Sequence, residues 1–210
     1  MTITWNGGPS VTIEASSSIC KINPTVSTGR TAKKDTANLI LLSGDTTPHA
    51  KDLLRPEGRV IVGPGEYDMS GFFVLVPSFD TAGTAMPTLF LVRCERRTIC
   101  YFARHVAPFL SDHHVDLLGN VDLLILPIGD AGESGGIPAE QAAKLSSQIE
   151  PRIVLPVASK ILEKGKTKEM EAFLKEMGSS DASPEPKIII KEKDVLDEEE
   201  TIVRLLTPSF

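Results

Sequence analysis

Apolar and polar positions alternate from the first residues onward. Ile3 and Trp5, then Val11 and Ile13, flank Gly7-Gly8-Pro9, which is the pattern of two strands joined by a tight turn. Ile19-Cys20-Lys21-Ile22-Asn23 predicts a third short strand, and the polar stretch 27–35 predicts a loop. Asn38-Leu39-Ile40-Leu41-Leu42-Ser43 is apolar without alternation, as expected of a strand covered on both faces. Residues 49–54 predict one helical turn, ended at Pro56-Glu57-Gly58. The apolar runs 59–63, 71–79, 87–94 and 98–103 then predict an antiparallel series joined by turns, one of them at Pro64-Gly65.

The second half changes period. Residues 121–129 form another fully apolar strand, followed by a glycine-rich loop from Gly129 to Gly136. Pro138-Ala139-Glu140 opens a helix running to Ile149, with proline beside its first turn. Residues 152–158 predict a strand. Residues 166–177 predict an amphipathic helix with Met170, Phe173, Leu174 and Met177 on one side, and Gly178 stands where a helix-ending glycine is expected. The segment 178–186 reads as a surface linker, and 187–196 and 201–208 read as strand material. Strands with helices outside them define a layered sheet-helix protein.

The 210 residues suit a single domain spanning 1–210, with 41% apolar and 24% charged residues as in ordinary globular chains. The net charge of -6 is densest at Asp194, Asp197, Glu198, Glu199 and Glu200. Nucleic acid is not an expected partner, because phosphate binding needs a concentrated basic surface. The short basic cluster Arg93, Arg96, Arg97 is broken by Glu95 and reads as a hairpin surface. No apolar run approaches the ~18 residues of a membrane span, and the N-terminus lacks a signal peptide pattern. The three cysteines have no C-x-x-C spacing. Buried inert thiols in a reducing cytoplasm are therefore expected.

Several phrases, in order along nearly the whole chain, resemble the metallo-β-lactamase superfamily. They are MTITWNGGPSVTIEA, NLILLSGDTTPH, GPGEYDMSGFFVLVPSFD, VDLLILPIGD, IEPRIVLPVA and FLKEMG. PGEYD and VDLLILP are the most specific, and the branch most resembled is the zinc-dependent hydrolase group related to L-ascorbate-6-phosphate lactonase. The resemblance implies an α+β fold, a four-layered αββα sandwich of two similar mixed-sheet halves. It also implies a metal site at one sheet edge, built on H-x-H-x-D-H and on further ligands from later loops. Imidazoles and carboxylates hold zinc there with an open position for water, whose pKa the metal lowers toward ~7.

Carried over residue by residue, that ligand set fails. The first two histidine positions fall on Gly44 and Thr46, the aspartate falls on Pro48, and only His49 matches. The family's H-x-G-D falls on Tyr101, Phe102, Ala103 and Arg104, and its proline-x-histidine on Pro156, Val157 and Ala158. Its Gly-His falls on Gly7-Gly8 and its Asp-Pro on Asn23-Pro24. A cation at Arg104 would repel a metal ion by about 4 kcal/mol per unit charge pair at ~4 Å and an effective dielectric of ~20. The resemblance thus implies a degenerate metal site whose relic region comprises Asp45, His49, Tyr101, Arg104, His105 and Ala158, with no metal or other cofactor expected.

Other motifs read blandly. Asp45 fits a turn-forming aspartate. Ser111-Asp112-His113-His114 fits an N-cap serine opening a short helix that stops at Gly119. The Gly129–Gly136 loop lacks the lysine and hydroxyl of a phosphate loop and carries Asp130 and Glu133. Ser17, Ser43 and Ser159 lack the G-x-S-x-G elbow. The expectation is a cytoplasmic, non-catalytic binding, regulatory or assembly protein. Its partners would be copies of itself, an active paralogue or a small molecule whose identity the residues leave open. The alternative is a hydrolase of a small phosphorylated or lactone-type metabolite, using zinc or manganese on rearranged ligands Asp45, His49, His105 and Asp130.

Overall fold

Strands that are apolar on both faces need cover on both, and the chain supplies it by stacking two sheets. The computed structural model describes residues 1–24, 36–43, 50–78, 89–102, 110–130, 136–158, 167–191 and 200–209. In chain order the first elements are β1 (Thr2–Trp5), β2 (Val11–Glu14), β3 (Ile19–Ile22), β4 (Ala37–Leu41), β5 (Leu54–Ile61), β6 (Gly65–Met69), β7 (Phe72–Val76), β8 (Leu89–Cys94) and β9 (Arg97–Phe102). Then come α1 (Asp112–Leu118), β10 (Leu123–Ile128), α2 (Ala139–Ile149), β11 (Ile153–Ala158) and α3 (Lys168–Glu176). The last are β12 (Pro184–Glu185), β13 (Ile188–Ile189), β14 (Ile202–Val203) and β15 (Leu205–Leu206).

One sheet has the order β13-β1-β2-β3-β4-β5 and the other β14-β11-β10-β9-β8-β7-β6, while β12 and β15 pair separately. Both sheets are mixed: β3, β4 and β5 run parallel, as do β9, β10, β11 and β14. Between the sheets lies an apolar core that includes Ile3, Ile13, Leu39, Leu41, Val74, Val92, Leu123, Ile125 and Leu155. The alternate residues of β10, Leu124, Leu126 and Ile128, meet Ala142, Leu145 and Ile149 of α2 and Met170, Phe173 and Leu174 of α3. All six residues of β10 are therefore buried, as its unbroken apolar run required. On the far side of the six-stranded sheet, Ala37, Ile40 and Leu42 pack with Leu53 and Leu54 beside a 3₁₀ turn at Ala50–Leu53. The sandwich of two mixed sheets with outer helices is the fold the resemblance implied.

Three local expectations change. Pro56-Glu57-Gly58 does not end a helical turn but lies within β5, at the edge of its sheet. There a proline costs no ladder hydrogen bond, and a register shift between Ala37 and Leu39 takes up the irregularity. β5 also pairs in parallel with β4 rather than joining the antiparallel series. The sequence reading passed over β6, whose alternation of glycine, tyrosine and methionine with two acids carries a thin apolar signal. The supposed linker 178–186 contains β12, which pairs with β15.

Several local readings hold. Ser111 caps α1, accepting from the His114 amide while His114 Nδ1 accepts from the Ser111 amide. Gly178 has φ of 64° just past α3. All three cysteines are free and buried.

Candidate functional site

The C-terminal ends of β1, β3, β4 and β9 meet at one edge of the sandwich, and a buried polar cluster ties them together there. It begins with the turn after β1. Gly7 and Gly8 both have positive φ, 86° and 54°, a backbone that glycine enters without the clash a Cβ would bring. The Ser10 amide donates to Gly7 O at 3.1 Å, and Trp5 Nε1 donates to Gly8 O at 2.8 Å. That turn points the Pro9 carbonyl at the other sheet, where the Tyr101 hydroxyl of β9 donates to it at 2.6 Å.

Asn23, one residue past β3, is the hub. Its Nδ2 donates to Ser43 Oγ at 2.9 Å and to Tyr101 Oη at 3.3 Å. Its Oδ1 accepts from the Ser43 amide at 2.9 Å and from the Ser43 hydroxyl at 3.1 Å. Asn23 holds a φ of 45° directly before Pro24. Asparagine tolerates that region better than most residues, but a following proline disfavours helical backbone, so the conformation stores strain on the order of 1 kcal/mol. The hydrogen bond from the Asn23 amide to Leu41 O, at 2.9 Å, helps to hold it.

Tyr101 is fully buried and stacks at a tilt on Phe90, centroid to centroid 6.2 Å. Burial pushes its phenol far above the usual tyrosine range, and the hydrogen bond from Asn23 works weakly the other way. The group is therefore neutral at any physiological pH, with its proton committed to Pro9. Ala158 is the last residue of β11 and is buried, presenting only a methyl group. Of the relic region read from the sequence, Tyr101 and Ala158 are described, and Asp45, His49, Arg104 and His105 lie outside the described residues. Asp130, two residues past β10, is exposed.

The family's metals call for imidazole, carboxylate or thiolate donors. The described donors at this edge are a neutral phenol, an amide, a hydroxyl and a backbone carbonyl, and they do not fit a zinc or manganese ion. Among the described residues no group of three or more His, Cys, Asp or Glu side chains is placed to hold one. The phosphate-loop reading also fails on geometry. The Ala139 amide at the start of α2 donates to Glu169 Oε2 of α3 at 3.3 Å, so a carboxylate already stands where an anion would bind. A polar cleft of about 530 Å³ opens at the opposite edge, before β10, β11 and β14, lined by Asn120, Glu150, Arg152 and Thr201 among others. It shares no residue with the Tyr101 cluster.

Sequence reasoning placed Asn23 and Tyr101 at family positions but missed that they bond one another, and it treated Ser43 only as a failed nucleophile. The available signal was that Asn23 directly follows one apolar strand and Tyr101 lies one residue before the end of another.

The fold and this edge define a class, and comparison with known proteins agrees. The Beta-lactamase superfamily domain matches residues 2–158, and the chain belongs to that family. No curated protein matches it. Among solved structures it is similar to one from Thermotoga maritima described as a Zn-dependent hydrolase of the metallo-β-lactamase superfamily. The TM-score is 0.70 at 20% identity, covering 98% of this chain and 100% of that one. It is also similar to Igni18, a metallo hydrolase from Ignicoccus hospitalis, with TM-score 0.62, 14% identity and coverage of 90% and 99%. The metallo-β-lactamase fold protein YhfI from Bacillus subtilis gives TM-score 0.62, 12% identity and coverage of 100% and 98%. At these identities the likeness is one of fold. No helix among the described residues is long and apolar enough to cross a membrane.

Proposed function

We propose that this chain is a metal-free member of its family, a cytoplasmic binding, regulatory or assembly protein rather than a hydrolase. The observation that carries the reading is the Tyr101 hydroxyl, which stands at a family histidine position, buried and donating to Pro9 O at 2.6 Å. A ligand position occupied by a neutral phenol bonded to the scaffold offers no lone pair of the strength a divalent cation selects. Ala158, at another ligand position, offers none at all. Three free, buried thiols support a reducing compartment. The PGEYD and VDLLILP phrases support a place beside the L-ascorbate-6-phosphate lactonase branch. Partners of the chain's own kind, as homo-oligomer or with an active paralogue, follow from the same reading.

Elemental analysis of the purified protein tests it. The expected result is well under about 0.1 zinc or manganese per chain, and no rise in melting temperature when either metal is added. One or two tightly held ions per chain, with phosphodiester or lactone turnover lost on chelation and in His49→Ala, would establish the rearranged-ligand hydrolase instead. Light scattering decides between monomer and assembly.

A further inference from the structure

β5 and β6 are edge strands of the two sheets, separated by three residues along the chain. β5 is closed against pairing. Pro56 has no amide to offer, and Arg59 Nη1 folds back to donate to Glu57 O at 3.2 Å and to Gly58 O at 3.1 Å. On β6 the comparable features stop at its entry, where Pro64 lacks an amide and Tyr67 Oη donates to Gly63 O at 3.1 Å and to Pro64 O at 3.2 Å. They do not reach the backbone of Glu66 and Asp68. The strand pairs on one side with β7, in the register Gly65↔Val76, Tyr67↔Val74 and Met69↔Phe72, closed by the two-residue turn Ser70-Gly71, both with positive φ.

In such a hairpin the pair flanking the turn, and every second pair from it, exchanges both backbone hydrogen bonds. Met69, Tyr67 and Gly65 therefore spend their backbone groups on β7. The N–H and C=O groups of Glu66 and Asp68 point away from the sheet, and among the described residues no side chain or loop is hydrogen-bonded to them. Open edges of this kind are the template for strand addition.

The side chains along β6 state what would fit. Glu66 and Asp68 are exposed on one face, while Tyr67 and Met69 are half-buried against the inter-sheet core on the other. Val62, at the corner leading into β6, is 64% exposed. A second copy of this edge is disfavoured. Every antiparallel two-fold register that pairs the outward-facing residues puts Glu66 or Asp68 opposite Glu66 or Asp68, and like charges directly opposite are destabilising. A strand with basic residues at those positions turns the same contacts favourable, and apolar residues between them extend the Tyr67–Met69 surface.

We propose that the free edge of β6 takes up an extended segment of a partner protein in which lysine or arginine alternates with apolar residues. Strand addition gives affinity through the two pairs of backbone groups, and Glu66 and Asp68 choose the partner by charge. The proposal concerns a different face from the Tyr101 cluster and stands whether or not the protein holds metal.

The test uses the whole protein and a fluorescently labelled acetyl-Lys-Val-Lys-Val-Lys-Val-Lys-amide, followed by anisotropy. Saturable binding is expected, with amide exchange slowed at Glu66 and Asp68. Binding should fall at least about tenfold in Glu66→Lys/Asp68→Lys, because two attractive cross-strand charge pairs become repulsive. Circular dichroism melting serves as the check that this variant is folded. A peptide N-methylated at alternate residues keeps the charge and loses the donors, and it should not bind. Equal binding by the methylated peptide or by the double variant, or no saturation with wild type at millimolar peptide, would overturn the proposal.

Discussion

Replacing Tyr101 by phenylalanine removes one oxygen from the centre of the polar cluster and leaves the ring packed on Phe90. The apolar contribution is unchanged, so the effect isolates the hydroxyl. Two hydrogen bonds are lost, to Pro9 O at 2.6 Å and from Asn23 Nδ2 at 3.3 Å. Asn23 Nδ2 retains Ser43 Oγ as a partner, so the Pro9 carbonyl bears most of the loss. A carbonyl left without its partner inside a protein costs about 1–3 kcal/mol. For a chain of this size, a loss of about 2 kcal/mol lowers Tm by about 4–8 °C.

Urea unfolding followed by circular dichroism measures this change, and an unchanged m-value is expected because the surface exposed on unfolding is the same. A double-mutant cycle with Asn23→Gly, which keeps the positive φ accessible, should give a coupling of about 1 kcal/mol. The pH profile adds an independent check. Tyr101 has a raised pKa in the folded protein, so above the unfolded tyrosine value of about 10 the unfolded chain loses a proton that the folded one keeps. Stability is full below that pH and declines as pH rises beyond it, and Tyr101→Phe should flatten the decline. A variant within about 0.5 kcal/mol of wild type, with an unaltered alkaline limb, would refute the idea that this hydroxyl ties the sheets together.

The hairpin tip offers an acidic counterpart. Glu95, whose side chain is 30% exposed, accepts from the Ser16 amide at 2.6 Å and from the Ser16 hydroxyl at 2.5 Å, and pairs with the Met1 amine at 2.9 Å. These bonds, the Ser16 hydroxyl first, hold its carboxyl down at about 2. Its contribution is present above the unfolded value of about 4.3 and is lost as pH falls toward 2. Glu95→Gln should thus cost about 1–2 kcal/mol at pH 7, after allowance for solvent screening, with the gap to wild type closing near pH 2 in thermal melts. The buried thiols Cys20 and Cys100 are pushed far up by desolvation, and Cys94 to about 11 by desolvation and then by Glu95. Alkaline unfolding should therefore begin above about 8.5, ahead of the tyrosine limb, and Cys100→Ala should delay it. Phe173→Ala, at a fully buried position of α3, should cost about 3–5 kcal/mol in urea titrations.

The apolar pattern made the sandwich legible wherever burial on both faces left an unmistakable run. Leu123–Ile128 and Ile153–Ala158 stand in the structure as the sequence predicts, because six buried residues in succession admit few other assignments. β6 escaped notice because an edge strand needs an apolar residue at only every second position, and here Gly65 supplies no side chain. β5 was cut short for a related reason: Pro56 and Gly58 signal a break in a central strand, and nothing local says that this strand lies at an edge. At the candidate site the residue types were legible and their bonds were not. That Tyr101 would meet Pro9 depends on two glycines bending a turn 92 residues away along the chain. A relation of that range has no local signature.

If the chain is metal-free as proposed, the cluster also bears on how such a fold would keep its shape without a metal site. A structural zinc site can contribute on the order of 10 kcal/mol to folding, whereas a buried neutral hydrogen bond contributes about 1 kcal/mol. The Tyr101–Asn23–Ser43–Pro9 set, with five hydrogen bonds of 2.6–3.3 Å, cannot replace a metal bond for bond. It need not do so, because the inter-sheet core and the α2–α3 cover bury the apolar faces of both sheets without reference to that edge. What the edge requires is that the chain leave β3, β4 and β9 along fixed paths. Asn23 meets that need by clamping Ser43 with its amide while reaching Tyr101 on the opposite sheet. Strain at Asn23 is then the local cost of serving three strands with one side chain, and relieving it with glycine would loosen all three exits together.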